Sequence, residues 1–228
     1  MSLYEERKRL EQEDGEPLHT LRVTPDSEIA VQCNNAGVLV VAGEWGLTPE
    51  NEARFVTPLA ELGYFVVAID LVGGDKATSE GQAAERTLDP ERGVADIASA
   101  LLYLKELAGG NIGVVGFDGA TAIVIEAATR LPQIDCVVAG GGPGPRKGVQ
   151  LARTRSSMMF HRGTQTRRLT DDVRAELKER IKPAVQTLMV HDYDAPDRFF
   201  ARPLDEEERD HATTAFDRTS DFLAQNLI

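Results

Sequence analysis

Residues 112–122 read Ile112-Gly-Val-Val-Gly-Phe-Asp-Gly-Ala-Thr-Ala122 and decide the fold. A short apolar run ends in a Gly-x-x-x-small turn and passes directly into a segment of helical period. A chain that turns this sharply strains its central residue and tolerates only small residues on either side. Gly116 and Ala120 supply those flanks, and Asp118 stands at the centre. An Asp here can cap the following helix through its side chain. It can also be a site residue displayed at a strand end. Both roles are compatible, because the helix N-terminus favours the anionic form.

Working outward, the same kind of apolar run recurs at Val38–Ala42, Phe65–Ile69, Cys136–Ala139, Met158–Phe160 and Leu188–Val190. Runs of this length, apolar without alternation, predict parallel strands buried on both faces. Helical period fills the intervals at Pro49–Leu62, Asp89–Leu107, Ala120–Leu131, Thr170–Ile181 and Asp205–Leu227. Asp89-Pro90 is an N-cap followed by a first-turn proline. Gly63 and Gly109-Gly110 follow helix ends. Alternating strands and helices predict an α/β chain with a mostly parallel, doubly wound sheet flanked by helices. Such sheets carry their sites at the C-terminal ends of the strands.

Ahead of this pattern, residues 1–35 are polar and mixed. Tyr4–Asp14 is expected to form a short helix, and Leu18–Gln32 alternates like exposed antiparallel strands. No break in composition divides the 228 residues, so one domain is expected over 1–228. Acidic residues outnumber basic ones by 37 to 25, for a net charge of −12. That balance argues against nucleic-acid binding and against docking on an anionic membrane. The charged N-terminus lacks the apolar stretch of a signal peptide, and no run approaches a membrane span, so a cytoplasmic location is expected. Cys33 and Cys136 have no metal-like spacing; Cys136, within an apolar run, is expected in the core. No metal or cofactor is implied.

Four strand ends carry residues with chemical potential. Gly43-Glu44-Trp45-Gly46 follows the first parallel run: Glu44 is either a solvated turn residue or a site carboxylate. Asp118 is the second. His161 and His191 each close an apolar run, where a histidine is more often a hydrogen-bonded structural residue than a ligand. His19 and His211 lie in polar segments. Gly140-Gly-Gly-Pro-Gly-Pro145, followed by Arg146-Lys147, lacks the spacing of a phosphate loop, and its prolines remove amide donors. It reads as a connecting loop.

In this order and spacing the segments resemble the dienelactone hydrolase family, of the α/β-hydrolase fold, over roughly Gly37 to Ile228. Residues 112–122 match that fold's nucleophile elbow. The matching stretches include Val38-Leu-Val-Val-Ala-Gly-Glu-Trp-Gly-Leu47, Leu62–Leu71, Val94–Leu104, Phe160-His-Arg-Gly163 and the segment from Val190 to Arg202. The resemblance implies that the elbow nucleophile, usually Cys, falls on Asp118. The triad acid falls on Thr166, and the base, usually His, on Arg198. Glu44 matches the family's glutamate beside the nucleophile, and Arg202 an arginine that contacts substrate carboxylate. The oxyanion amides fall on Trp45 and Gly119.

Arg198 cannot accept a proton near neutrality. Thr166 has no charge with which to orient an imidazolium. The family's triad chemistry is therefore expected to be absent, with Asp118 and Arg198 expected to form an ion pair across the former site. Three functions follow. One is a non-hydrolytic binding protein for a small, anionic molecule, with Trp45 as an apolar wall. Another is an isomerase, cyclase or lyase using Glu44 or Asp118 as acid and base. The third is a non-standard hydrolase of an ester, lactone, epoxide or haloalkane, the last two through an Asp nucleophile. Any of these implies a small-molecule partner and a monomer or homodimer.

Overall fold

The computed structural model describes residues 3–12, 16–165, 170–181, 187–196 and 206–228. Eight strands among them pair in the order β1-β2-β4-β3-β5-β6-β7-β8. They are β1 (Tyr4–Leu10), β2 (Leu18–Thr24), β3 (Gly37–Ala42), β4 (Phe65–Asp70), β5 (Ile112–Phe117), β6 (Cys136–Gly140), β7 (Ser157–Gly163) and β8 (Leu188–Tyr193). From β4 across to β8 every pairing is parallel. Only β2 runs against its neighbours β1 and β4. This is the mostly parallel, doubly wound sheet that the apolar runs predicted, and the α/β-hydrolase fold that the family resemblance implied.

The helices are α1 (Ser27–Gln32), α2 (Pro49–Asn51), α3 (Thr57–Glu61), α4 (Glu80–Glu85), α5 (Pro90–Leu107), α6 (Ala120–Arg130), α7 (Asp171–Ile181) and α8 (Glu206–Leu227). Period-two alternation splits β3, β4 and β5 between two cores. Leu39, Val41, Val67, Ile69 and Val114 pack with Ile97, Leu101 and Leu104 of α5 and with Ile123 of α6. Val38, Val40, Val66, Ala68, Val115 and Phe117 pack with Phe55, Leu59 and α8's Phe222 and Leu223. Each fully buried aliphatic side chain of this kind contributes about 1.5–3 kcal/mol. The sheet is thus packed on both faces. Asp89 caps α5 by accepting from the Glu91 and Arg92 amides, with Pro90 in the first turn, as its sequence predicted.

Three expected elements are corrected. Tyr4–Asp14 is not a helix: Tyr4–Leu10 is an edge strand registered on β2 from Tyr4↔Thr24 to Leu10↔Leu18. Its residues are good helix formers, yet seven ladder positions against β2 outweigh propensity. Leu18–Gln32 is not strand throughout. β2 stops at Thr24, Pro25 interrupts the ladder, and Asp26 caps α1 by accepting from the Glu28 amide. β2 is also half-buried rather than exposed, because it sits between β1 and β4. The helix expected over Pro49–Leu62 is broken by a wide π turn at Glu52–Val56, and α4 was not foreseen. Among the described residues no helix is long and apolar enough to cross a membrane, and no group of three or more His, Cys, Asp or Glu could hold a metal ion.

Candidate functional site

The strand–turn–helix at the end of β5 has the geometry its small residues predicted. Asp118 has φ 55°, in the left-handed region. For a residue with a Cβ that costs on the order of 1 kcal/mol and needs support from its surroundings. The Asp118 amide donates to the Gly140 carbonyl at 3.0 Å. The Thr121 hydroxyl donates to the same carbonyl at 2.9 Å, and the Thr121 amide to the Asp118 carbonyl at 3.1 Å. The end of β6 therefore anchors the turn. Two glycines make room for it. A Cβ on Gly142 would lie 1.7 Å from the Asp118 carbonyl oxygen, and one on Gly116 would lie 2.6 Å from Val124 Cγ1 of α6. Asp118 itself is buried, with 1% of its surface exposed.

Glu44, at the end of β3, reaches this turn from the neighbouring strand. Its Oε2 accepts the Gly119 amide at 2.6 Å, so a carboxylate sits on the N-cap amide that precedes α6. The Glu44 backbone is braced as well. Arg86 donates to its carbonyl at 2.9 Å, to the Asp75 carbonyl at 2.9 Å and to Asp75 Oδ2 at 2.6 Å. Trp45 is buried beside Ala77 and Ala83. Its carbonyl accepts the Ala77 amide at 3.1 Å. A cleft of about 520 Å³ opens over Glu44 and Gly119. Its other walls come from Ala83, Arg86, Leu88, Ile123 and Pro143.

Of the residues singled out in the sequence, the structure brings together Asp118, Gly119 and Glu44, with Trp45 one residue further along the same loop. Thr166, Arg198 and Arg202 lie outside the described residues, and so does the expected Asp118–Arg198 pair. Sequence reasoning missed Arg86 and the α4 wall, because the segment between β4 and α5 has neither a periodic pattern nor a motif. It also missed that Glu44 would occupy the Gly119 amide.

Other groups near the strand ends are bonded within the fold. His161 is buried; its Nδ1 lies 2.8 Å from the Tyr193 hydroxyl and its Nε2 3.0 Å from the Thr219 hydroxyl. Arg218 donates to the Tyr193 oxygen at 3.1 Å. The arrangement that satisfies these groups has Tyr193 donating to Nδ1 and the Nε2–H donating to Thr219. Burial, with His191 and Arg218 nearby, pushes the His161 pKa down to about 3, so the ring is neutral. Cys136 is fully buried, and burial raises its thiol pKa strongly. Arg146, behind the glycine-rich loop, is drawn into Glu126 and Glu91 rather than into the loop. Glu126 is buried on α6 and also pairs with Arg130.

Comparison with known proteins agrees with this geometry. The profile of the dienelactone hydrolase family matches residues 19–227. Among solved structures, a candidate dienelactone hydrolase from Klebsiella pneumoniae subsp. pneumoniae MGH 78578 superposes with TM-score 0.78 at 16% identity, covering 99% of this chain and 100% of that one. A dienelactone hydrolase-like promiscuous phosphotriesterase from metagenomic libraries gives 0.77 at 16% identity, with complete coverage of both chains (100% each). A Pyrococcus furiosus esterase gives 0.74 at 16% identity, covering 99% and 91%. At this identity the structural likeness speaks for the fold. No curated protein sequence matches.

Proposed function

The chain belongs to the dienelactone hydrolase family, and from that premise we propose that it holds a small organic molecule in the elbow cleft without the family's hydrolysis. The observation that carries this reading is the Glu44 carboxylate seated 2.6 Å from the Gly119 amide. Ester cleavage at an elbow needs that amide to face the oxygen on which negative charge develops. Here a carboxylate already holds it. A tetrahedral oxyanion would have to displace Glu44 and then form beside Asp118, with like charges at close range. Asp118 at the elbow, Thr166 at the acid position and Arg198 at the base position add to the case, because that set contains no general base for the triad mechanism. Arg198 and Arg202 favour a ligand with an anionic group; this point rests on the family resemblance alone. The cleft volume of about 520 Å³ suits a metabolite-sized ligand.

A second reading keeps catalysis but changes its type. Glu44 is a carboxylate that both lines the cleft and touches the elbow. It is placed to move a proton in an isomerisation, cyclisation or lyase step. Hydrolysis of an ester, lactone, epoxide or haloalkane by another route stands third.

The discriminating experiment uses p-nitrophenyl esters and a dienelactone as substrates, beside ligand-induced thermal stabilisation with a panel of small carboxylates. Stabilisation without turnover is expected. Turnover abolished by Asp118→Ala or Glu44→Gln would overturn the binding reading. The triple variant Asp118→Cys, Thr166→Asp, Arg198→His tests the scaffold: gained esterase activity would mean that only the reactive groups were lost.

A further inference from the structure

The molecule carries a second cleft, of about 250 Å³, that shares no lining residue with the elbow cleft. It lies where the β1–β2 hairpin meets the segment after β4, at the same rim of the sheet. Strand periodicity builds it. Arg7 and Arg9 are two residues apart on β1 and so project from one face. Registration sets His19 opposite Arg9 and Leu21 opposite Arg7. Lys76 completes the wall, and Leu47 closes the floor. Lys8, between the two arginines, turns to the other face, its ammonium 5.4 Å from the Tyr103 ring centroid.

The lining is cationic in a protein of net charge −12. Arg7, Arg9 and Lys76 face a single lining carboxylate, Asp70. Asp70 is itself engaged: its Oδ1 accepts the Val72 amide at 3.1 Å and the Gly74 amide at 2.8 Å. Glu52, outside the lining, holds Arg7 in a fork at 3.1 and 2.6 Å and stands 3.8 Å from Lys76 Nζ. It fixes the two cations beside each other. Arg9 is exposed and makes no ion pair among the described residues. A guanidinium held by Glu52, an exposed second guanidinium and an ammonium around one concavity match the oxygens of a phosphate group.

We propose that this cleft is a second binding site, which takes a small phosphate-bearing molecule such as a phosphomonoester or diphosphate. The acidic remainder of the surface repels an extended polyanion or an anionic membrane, so the site selects for compact anions.

The test is calorimetric titration of the full chain with pyrophosphate and inorganic phosphate at low ionic strength. Saturable binding is expected. Arg9→Gln/Lys76→Gln should weaken it by about tenfold or more, while Arg153→Gln, an exposed arginine between β6 and β7, should leave it unchanged. Both altered residues are exposed, so an unchanged melting temperature verifies that the double variant folds. The absence of saturable binding overturns the proposal. So does equal weakening by Arg153→Gln, or weakening by Arg198→Ala in place of the double variant, which would put the anion at the elbow. Binding to phosphatidic acid vesicles with no response to free pyrophosphate would assign the cations to a lipid surface and overturn it too.

Discussion

Glu44 and Gly119, 75 positions apart in the chain, meet through a 2.6 Å bond from the backbone amide to the carboxylate. That bond joins the end of β3 to the N-cap of α6. Glu44→Ala is expected to lower stability by about 1–3 kcal/mol, the usual loss for a charge-assisted bond at a buried site. Glu44→Gln retains an acceptor and should lose less. Urea denaturation of the two variants beside the parent measures the difference.

The elbow's dependence on close backbone approach gives a sharper contrast. Gly142→Ala places a Cβ 1.7 Å from the Asp118 carbonyl oxygen, where backbone has to move. A loss of about 3 kcal/mol or more is expected. Gly148 has open space around it but φ +92°, so Gly148→Ala meets only backbone strain, about 1 kcal/mol. Equal melting temperatures for the two variants would contradict this account of the turn.

His161 makes stability depend on pH. Its folded-state pKa is pushed down to about 3, below the value of about 6.5 it has when unfolded. Between these values the unfolded chain binds the extra proton. The neutral ring's contribution is therefore complete above about pH 6.5 and is lost as pH falls toward 3, at up to about 1.4 kcal/mol per pH unit. The His191 pKa is also lowered by burial, which adds in the same direction. Denaturation between pH 7 and 4.5, above most carboxylate titrations, should show the slope. His161→Gln, which can still accept from Tyr193 and donate to Thr219, should flatten it.

Arg146 and Arg130 converge on Glu126, whose side chain is 2% exposed. Arg146→Ala leaves a buried carboxylate with one partner fewer. A loss of stability is expected, smaller than for a fully buried pair because Arg146 is itself 44% exposed. Hydrogen exchange should rise across residues 141–150, the loop that the guanidinium ties to α6.

These sites differ in how far the sequence revealed them. The runs at Val38–Ala42, Phe65–Ile69 and Ile112–Gly116 were legible because central parallel strands are buried on both faces and admit no polar residue. Tyr4–Leu10 was not, because an edge strand pairs on one side only. Its charges, which guard against further pairing, look like those of a solvated helix. Asp118 and Gly116 were legible as an elbow because sharp turns select residue size locally. The bond from Gly119 to Glu44 was not, since nothing in either segment records which carboxylate the fold will bring to an amide 75 residues away. Arg86 escaped for the same reason: its partners are two backbone carbonyls and one carboxylate in other segments.

The left-handed backbone of Asp118 has a consequence for how this protein can change. The turn is held by the Gly140 carbonyl and by the absence of side chains at Gly116 and Gly142, none of which depends on the Asp118 carboxyl group. Shape and reactivity at the elbow are thus written in different residues and drift independently. Exchange of residue 118 leaves the bond to the Gly140 carbonyl and both glycines in place. A single methyl group at position 142 would erase the frame, whatever side chain residue 118 displays.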